Sequence, residues 1–175
     1  METMFEQRFD PRRKFQYVND EPSVLHCHHY ITMCSQLAME KENLEGPRLI
    51  MEAMEETFYL VLKKYFIRYG ITRQQDMIKT AEEYFSLTGM GILSIQPGKD
   101  TGSAEMKRSH IDEGWIRKWG TSEKGVNFAG CGYIAAVFAL VNEVPLRSYD
   151  VREVQSIASG ADSSKFTVEL KKEKA

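Results

Sequence analysis

Apolar side chains recur at three- and four-residue steps through the first half of the chain and at two-residue steps near its end. Tyr30, Met33, Cys34, Leu37 and Lys41 keep helical spacing, which predicts a helix over 27–43. Gly46-Pro47 interrupts it, and proline is tolerated in the first turn of the next helix, where its missing amide would have no partner. That second helix is predicted over 48–68. One face carries Ile50, Met54, Phe58, Val61 and Tyr65, and another carries Tyr59, Leu62 and Phe66. Residues 58–62 are apolar all round, so burial on more than one side is expected. Thr72 is a candidate N-cap for a third helix over 73–88, ended by Gly89 and Gly91.

Strand signals flank these helices. Phe15 to Val18 predicts a strand, residues 19–22 a turn, and residues 23–25 the return. Ile92 to Ile95 predicts another strand, a turn-rich QPGKDTG loop follows, and Ala104 to Ser109 is the expected partner. Residues 110–126 read as irregular. A helix of small and apolar residues is expected over 127–142, then strands near 145–149, 152–158 and 164–171. In the last of these, Phe166, Val168 and Leu170 alternate with Lys165, Thr167 and Glu169, so one face should be buried. The terminal KKEKA is expected to fray. Grouped helices followed by strands predict an α+β domain with an antiparallel sheet.

Composition narrows the class. At 175 residues the chain reads as a single domain, 1–175, long enough to bury a real core. A net charge of −2 gives no reason to expect a nucleic-acid or anionic-membrane partner. No apolar run reaches the roughly 20 residues of a membrane span, and the charged N-terminus does not read as a signal peptide. Three irregularly spaced cysteines are not a disulfide framework, so a reducing cytoplasm is the expected location.

Candidate chemistry is sparse. His26-Cys27-His28-His29 offers imidazole and thiol groups, but zinc asks for about four in tetrahedral array. The segment lies at a strand-to-helix junction: an extended chain would bring His26 and His28 to one side, whereas a helix would spread them. Local capping, a place in a ligand pocket and a metal site are the three readings. His110 begins a stretch with Asp112, Glu113, Trp115 and Trp119, a polar spot beside an aromatic wall or a loop pinned by its tryptophans. On the 127–142 helix, Ala129, Gly132, Ala136 and Ala139 form a small face suited to close approach of another helix, the sheet or a ligand. Cys131 reads as a small buried hydrophobe. Glu52, Glu55 and Glu56 read as a solvated helix edge. No phosphate loop, dinucleotide fingerprint, nucleophile elbow, HExxH or CxxC is present.

The stretch from Gly130 to Glu169 resembles the C-terminal half of the 4-vinyl reductase (hydrocarbon-binding) domain family. That family places a glycine-tyrosine helix before Glu-x-x-Cys-x-x-x-Gly-x-x-x-Cys-x-Phe, and the same spacing here gives Glu153, Ser156, Gly160, Ser164 and Phe166. The resemblance is carried by 127–170. Both cysteines are serines, which argues against a thiolate metal site, and no cofactor or metal is expected. The resemblance implies an antiparallel sheet packed on helices, the fold also found in a heme-nitric-oxide-binding domain and in trafficking-complex subunits. It implies a sensor or carrier that binds a small apolar or amphipathic ligand, often as a homodimer. The expected ligand-binding residues are His28, Phe58, Leu62, Tyr65, His110, Trp115, Cys131 and Ala136, around a cavity between the two long helices and the sheet. The alternatives are an enzyme using His28, His110 or Cys131, and a structural scaffold subunit.

Overall fold

The computed structural model describes residues 5–24 and 26–172. Three short strands open the chain: β1 (Gln7–Asp10), β2 (Phe15–Val18) and β3 (Glu21–Ser23) form an antiparallel sheet in that order. The β2 prediction matches, whereas β3 begins two residues before the expected return strand, and Leu25 lies outside the described residues. Asn19 and Asp20, both at positive φ, make the tight β2–β3 connection.

Three helices follow: α1 (His28–Glu40), α2 (Gly46–Tyr69) and α3 (Gln74–Leu87). Pro47 sits in the first turn of α2, and Gly70 at φ 62° closes it. The N-cap of α3 is Arg73 rather than Thr72, and no side-chain hydrogen bond caps it.

The main sheet contains β4 (Gly91–Gln96), β5 (Thr101–Ser109), β6 (Tyr149–Gln155) and β7 (Ser164–Leu170), all antiparallel, in the order β4-β5-β7-β6. Its inner face brings together Leu93, Met106, Phe166, Val168 and Val151. The alternation predicted for the last strand holds: Phe166 and Val168 are buried, while Lys165, Thr167 and Glu169 face out. Residues 145–148 are not a strand, and a short 3-10 turn over Ile157–Ser159 occupies the expected end of the strand predicted at 152–158. Gly160, at φ 91°, completes the corner.

Two further helices complete the fold: α4 (His110–Trp119), where irregular chain was expected, and α5 (Phe128–Val141). The α4 cap explains the difference. Ser109 Oγ accepts a hydrogen bond from the Asp112 backbone amide, the acids Asp112 and Glu113 lie in the first turn, and Arg117 and Lys118 lie in the last. Gly114 disguises this helix in the sequence, but it is where α1 packs: an added Cβ would collide with Thr32 Oγ1 and His28. Helix α5 is the central element, with every residue from Ala129 to Leu140 buried between the sheet and α2. No helix among the described residues is long and apolar enough to cross a membrane. The fold is thus α+β, an antiparallel sheet packed against helices, as expected.

Candidate functional site

The α2–α5 contact lies where the sequence placed a cavity wall. Leu62 and Ala136 are both 0% exposed. A Cβ on Gly132 would collide with the Met51 carbonyl, so the small face of α5 brings two helix backbones together. Tyr133 fills the adjoining space. Its ring meets Phe58 at 4.8 Å and Phe85 at 4.8 Å, and its hydroxyl donates to the Ala81 carbonyl at 2.6 Å. The small residues of α5 therefore serve helix packing at this point. Tyr65 lies on the other side of α2, stacked on Phe5 and tilted against Tyr69, beside a hollow of about 50 Å³ bordered by Val18, Val61 and Tyr84.

The large opening lies at the far end of the same two helices. A cleft of about 580 Å³ runs between the C-terminal turns of α2, the start of α3 and the end of α5. Its walls are mainly Tyr59, Phe66, Ile71, Met77, Leu140 and Val144, with Lys63 and Glu143 at charged positions along them. Glu143 is in the left-handed region, φ 55°, where the chain leaves α5. Lys63 rests over the Tyr59 ring at 5.4 Å. The volume and the apolar lining with few polar groups suit a small organic ligand. Tyr59 and Phe66 belong to the second apolar face recognised on α2 in the sequence. The contribution of the turn 70–72 had no sequence signal beyond a helix stop.

The histidines gather at a third place. The His110 ring lies 5.5 Å from His26 and 5.9 Å from His28, because α4 and α1 start side by side. His28 and His29 are neighbours at 4.2 Å. His110 Nε2 is buried without a hydrogen-bond partner. Burial, then the neighbouring His26 and His28, hold His110 below the usual histidine value; burial and His29 do the same for His28. Trp115 is buried against Trp119, with ring centroids 4.7 Å apart. Among the described residues no group of three or more His, Cys, Asp or Glu side chains is placed to hold a metal ion.

Sequence reasoning missed a buried polar joint at the N-terminal end of α5. Asp112, 0% exposed, accepts from Asn127 Nδ2 at 2.9 Å, Ser156 Oγ at 2.9 Å and the Ala158 amide at 3.3 Å. Asn127 is also the α5 N-cap: its Oδ1 accepts from the Gly130 amide, and its Nδ2 donates to Ser109 Oγ. Glu153 Oε2 accepts from the Asn127 amide at 3.0 Å. Ser164 Oγ accepts from the Ile157 amide. Ser156 and Ser164 are thus neutral hydroxyls already committed to protein partners, a poor donor set for a thiolate-type metal site. Cys131 is buried here, and burial pushes its thiol far up, so it is no nucleophile at neutral pH.

The acidic helix edge is also different from the expectation. Glu55 is only 4% exposed; its carboxylate takes the Arg147 amide at 2.7 Å and the Arg147 guanidinium at 2.7 Å, with Glu52 and Glu56 farther out. Sequence periodicity could not reveal this, because Arg147 comes from a loop 92 residues away.

No family model matches the chain, and no curated protein matches it in sequence. Solved structures do match in fold. The phenol-responsive sensory domain of the transcription activator PoxR superposes with a TM-score of 0.75 at 10% identity, over 94% of this chain and 84% of that one. A vinyl-4-reductase family protein from Methanocaldococcus jannaschii gives 0.51 at 18% identity, over 70% and 68%. A trafficking protein particle complex subunit 3 from Naegleria fowleri, covalently bound to palmitic acid, gives 0.51 at 10% identity, over 83% and 95%. The chain has the fold of the vinyl-4-reductase type.

Proposed function

We propose that this protein is a small-molecule-binding domain, a sensor or carrier for an apolar or aromatic ligand, and that the ligand occupies the cleft between α2, α3 and α5. The observation that carries the reading is the cleft itself: about 580 Å³, walled by Tyr59, Phe66, Ile71, Met77, Leu140 and Val144. Pockets of this size and lining bury most of a small organic molecule. The fold is compatible with the role, since one protein that shares it responds to phenol and another holds palmitic acid. A thermal-shift screen with phenols, short fatty acids and isoprenoid alcohols tests the proposal. A ligand bound to the folded state alone stabilises it by about 2.7 kcal/mol at a hundredfold excess over Kd. Met77→Trp, which puts a bulkier ring into the cleft wall, should reduce that gain. Persistence of the gain in Met77→Trp would place the ligand elsewhere.

A second reading is supported by the histidines. The unpartnered, buried Nε2 of His110, its ring 5.9 Å from His28, offers a polar contact for an amphipathic ligand or a reacting group, with the Trp115–Trp119 pair farther along the same helix. In that reading His110→Ala, not Met77→Trp, abolishes the shift. We also propose a homodimer in a reducing cytoplasm. Leu49, Leu60 and Ile67 on α2 and Tyr30, Met33 and Leu37 on α1 are apolar and exposed, and the cysteines 27, 34 and 131 are free. Light scattering at micromolar concentration should give twice the 20.2 kDa chain mass; a monomer mass would end this part of the proposal.

A further inference from the structure

The polar joint ties five elements at one point. Ser109 and Asp112 belong to the β5–α4 junction, Asn127 to the start of α5, Glu153 and Ser156 to the end of β6, and Ser164 to the start of β7. Two acids stand in it, Asp112 and Glu153, with no basic side chain among their hydrogen-bond partners. Their oxygens are not equally satisfied. Both Asp112 oxygens accept hydrogen bonds. Glu153 Oε2 accepts one, while Glu153 Oε1 is buried with no partner. A buried, unpartnered carboxylate oxygen costs free energy. A proton on the carboxyl removes the charge, the larger part of that cost, and leaves a neutral polar group in its place.

We infer that Glu153 is the proton-operated element of this joint: protonated, it lets the β6–β7 corner sit closed against the starts of α4 and α5, and its deprotonation loosens that corner. The proton moves between Glu153 and solvent, leaving a second negative charge beside Asp112. The titratable groups that face Glu153 are Asp112 from α4 and the Cys131 thiol from α5. Neighbouring Ser156, Ser164 and Gly125 do not ionise in this range. Burial first, then the Asp112 charge, push the Glu153 carboxyl up to about 7. The Asn127 amide and the two serine hydroxyls pull the other way. Ser156 gives its hydroxyl hydrogen to Asp112, whereas Ser164 accepts from the Ile157 amide and keeps its own hydroxyl hydrogen for the pull on Glu153. The two positions where the related family carries thiols are thus occupied by hydroxyls of a hydrogen-bonded joint, and the elements a metal would join are joined through Asp112 and Asn127.

The sign of the effect follows from linkage. A carboxyl whose folded value is raised stabilises fully below its ordinary value, 4.5. Its contribution is lost as pH rises through about 7. Carbon-13 carboxyl NMR on the wild-type protein, with the Glu153 resonance assigned, reads the group directly. A titration midpoint near 7 is expected, and a midpoint near 4.5 overturns the inference. Independently, denaturant unfolding of wild type and Glu153→Gln across pH 5 to 8 isolates its linkage, because both proteins carry the same histidines. The unfolding constant of the variant relative to wild type should fall by at least about tenfold over that range, one pKa unit's worth. Parallel pH curves would overturn the proposal. Hydrogen exchange at the Ile157 and Ala158 amides, corrected for the intrinsic pH dependence, should show opening above pH 7. Unchanged protection there would leave Glu153 a buried acid with no lock to operate.

Discussion

The two ends of α5 solve opposite problems. At its N-terminal end, Asn127 satisfies the Gly130 amide and gathers Ser109 and Asp112 into a closed polar joint. At its C-terminal end, Leu140 and Val144 face an open apolar cleft shared with α2 and α3. Between them Gly132 and Ala136 let α2 come so close that no room remains. The packed middle anchors the helix, the polar end fixes where it starts, and the free end leaves a cavity. A sheet-on-helix domain can therefore hold a pocket without weakening its core, provided the pocket lies where the helices part.

The largest effect should come from the packed middle. Leu62→Ala should destabilise by about 2–5 kcal/mol, since a fully buried leucine leaves a cavity. Ala136→Phe should cost about 1–3 kcal/mol or prevent folding, by overpacking rather than by blocking a ligand. Denaturant midpoints at constant m-value decide both. If Ala136→Phe were neutral, the α2–α5 contact would have unused space.

Next comes the polar end. Asn127→Ala removes a cap, worth about 0.5–2 kcal/mol, and leaves Asp112 short of a donor, worth about 1–3 kcal/mol. Asn127→Asp should keep the cap yet put a third acid into the joint, so its loss should grow as pH rises. Equal losses for both variants at all pH values would show that only the cap matters.

The pH behaviour gives a smaller and opposing effect. His28 and His110 are held below the ordinary histidine value of 6.5. Their contribution is therefore fully present above 6.5 and is lost as pH falls from there towards the lowered folded values. His110→Asn should weaken the loss of stability between pH 7 and 5, measured by thermal melting. A steeper loss in the variant would contradict the placement of His110 among the other imidazoles. The smallest effect belongs to exposed ion pairs such as Lys64–Glu21, where Glu21→Gln should change stability by less than about 1 kcal/mol.

Much of this architecture was legible in the sequence, and the failures have physical causes. Helices α1, α2 and α3 and the strand β7 were readable from their regular apolar spacing, and α5 from its run of small and apolar residues. Helix α4 was obscured by a central glycine whose purpose, contact with Thr32 and His28, is tertiary. Glu55 looked like part of a solvated edge because its partner, Arg147, arrives from a distant loop at φ 70°. Of the expected ligand-binding residues, Leu62, Cys131 and Ala136 are core, Tyr65 and Phe58 join aromatic clusters, and His28 and His110 do meet. The cleft is lined by Tyr59 and Phe66 of the second apolar face of α2, whose third member, Leu62, is fully buried. A 3.6-residue repeat states which faces are apolar but not which of them a neighbouring helix will cover.

The contrast between packed middle and open end is also the most direct test of function. Methyl-labelled NMR spectra of the intact protein, titrated with phenol and with a short fatty acid, report both places at once. Shifts confined to Ile71, Met77, Leu140 and Val144 are the result expected for a ligand in the cleft. Shifts at Leu62 and Ala136 with the cleft methyls silent, or no saturable shift with either compound, would contradict it.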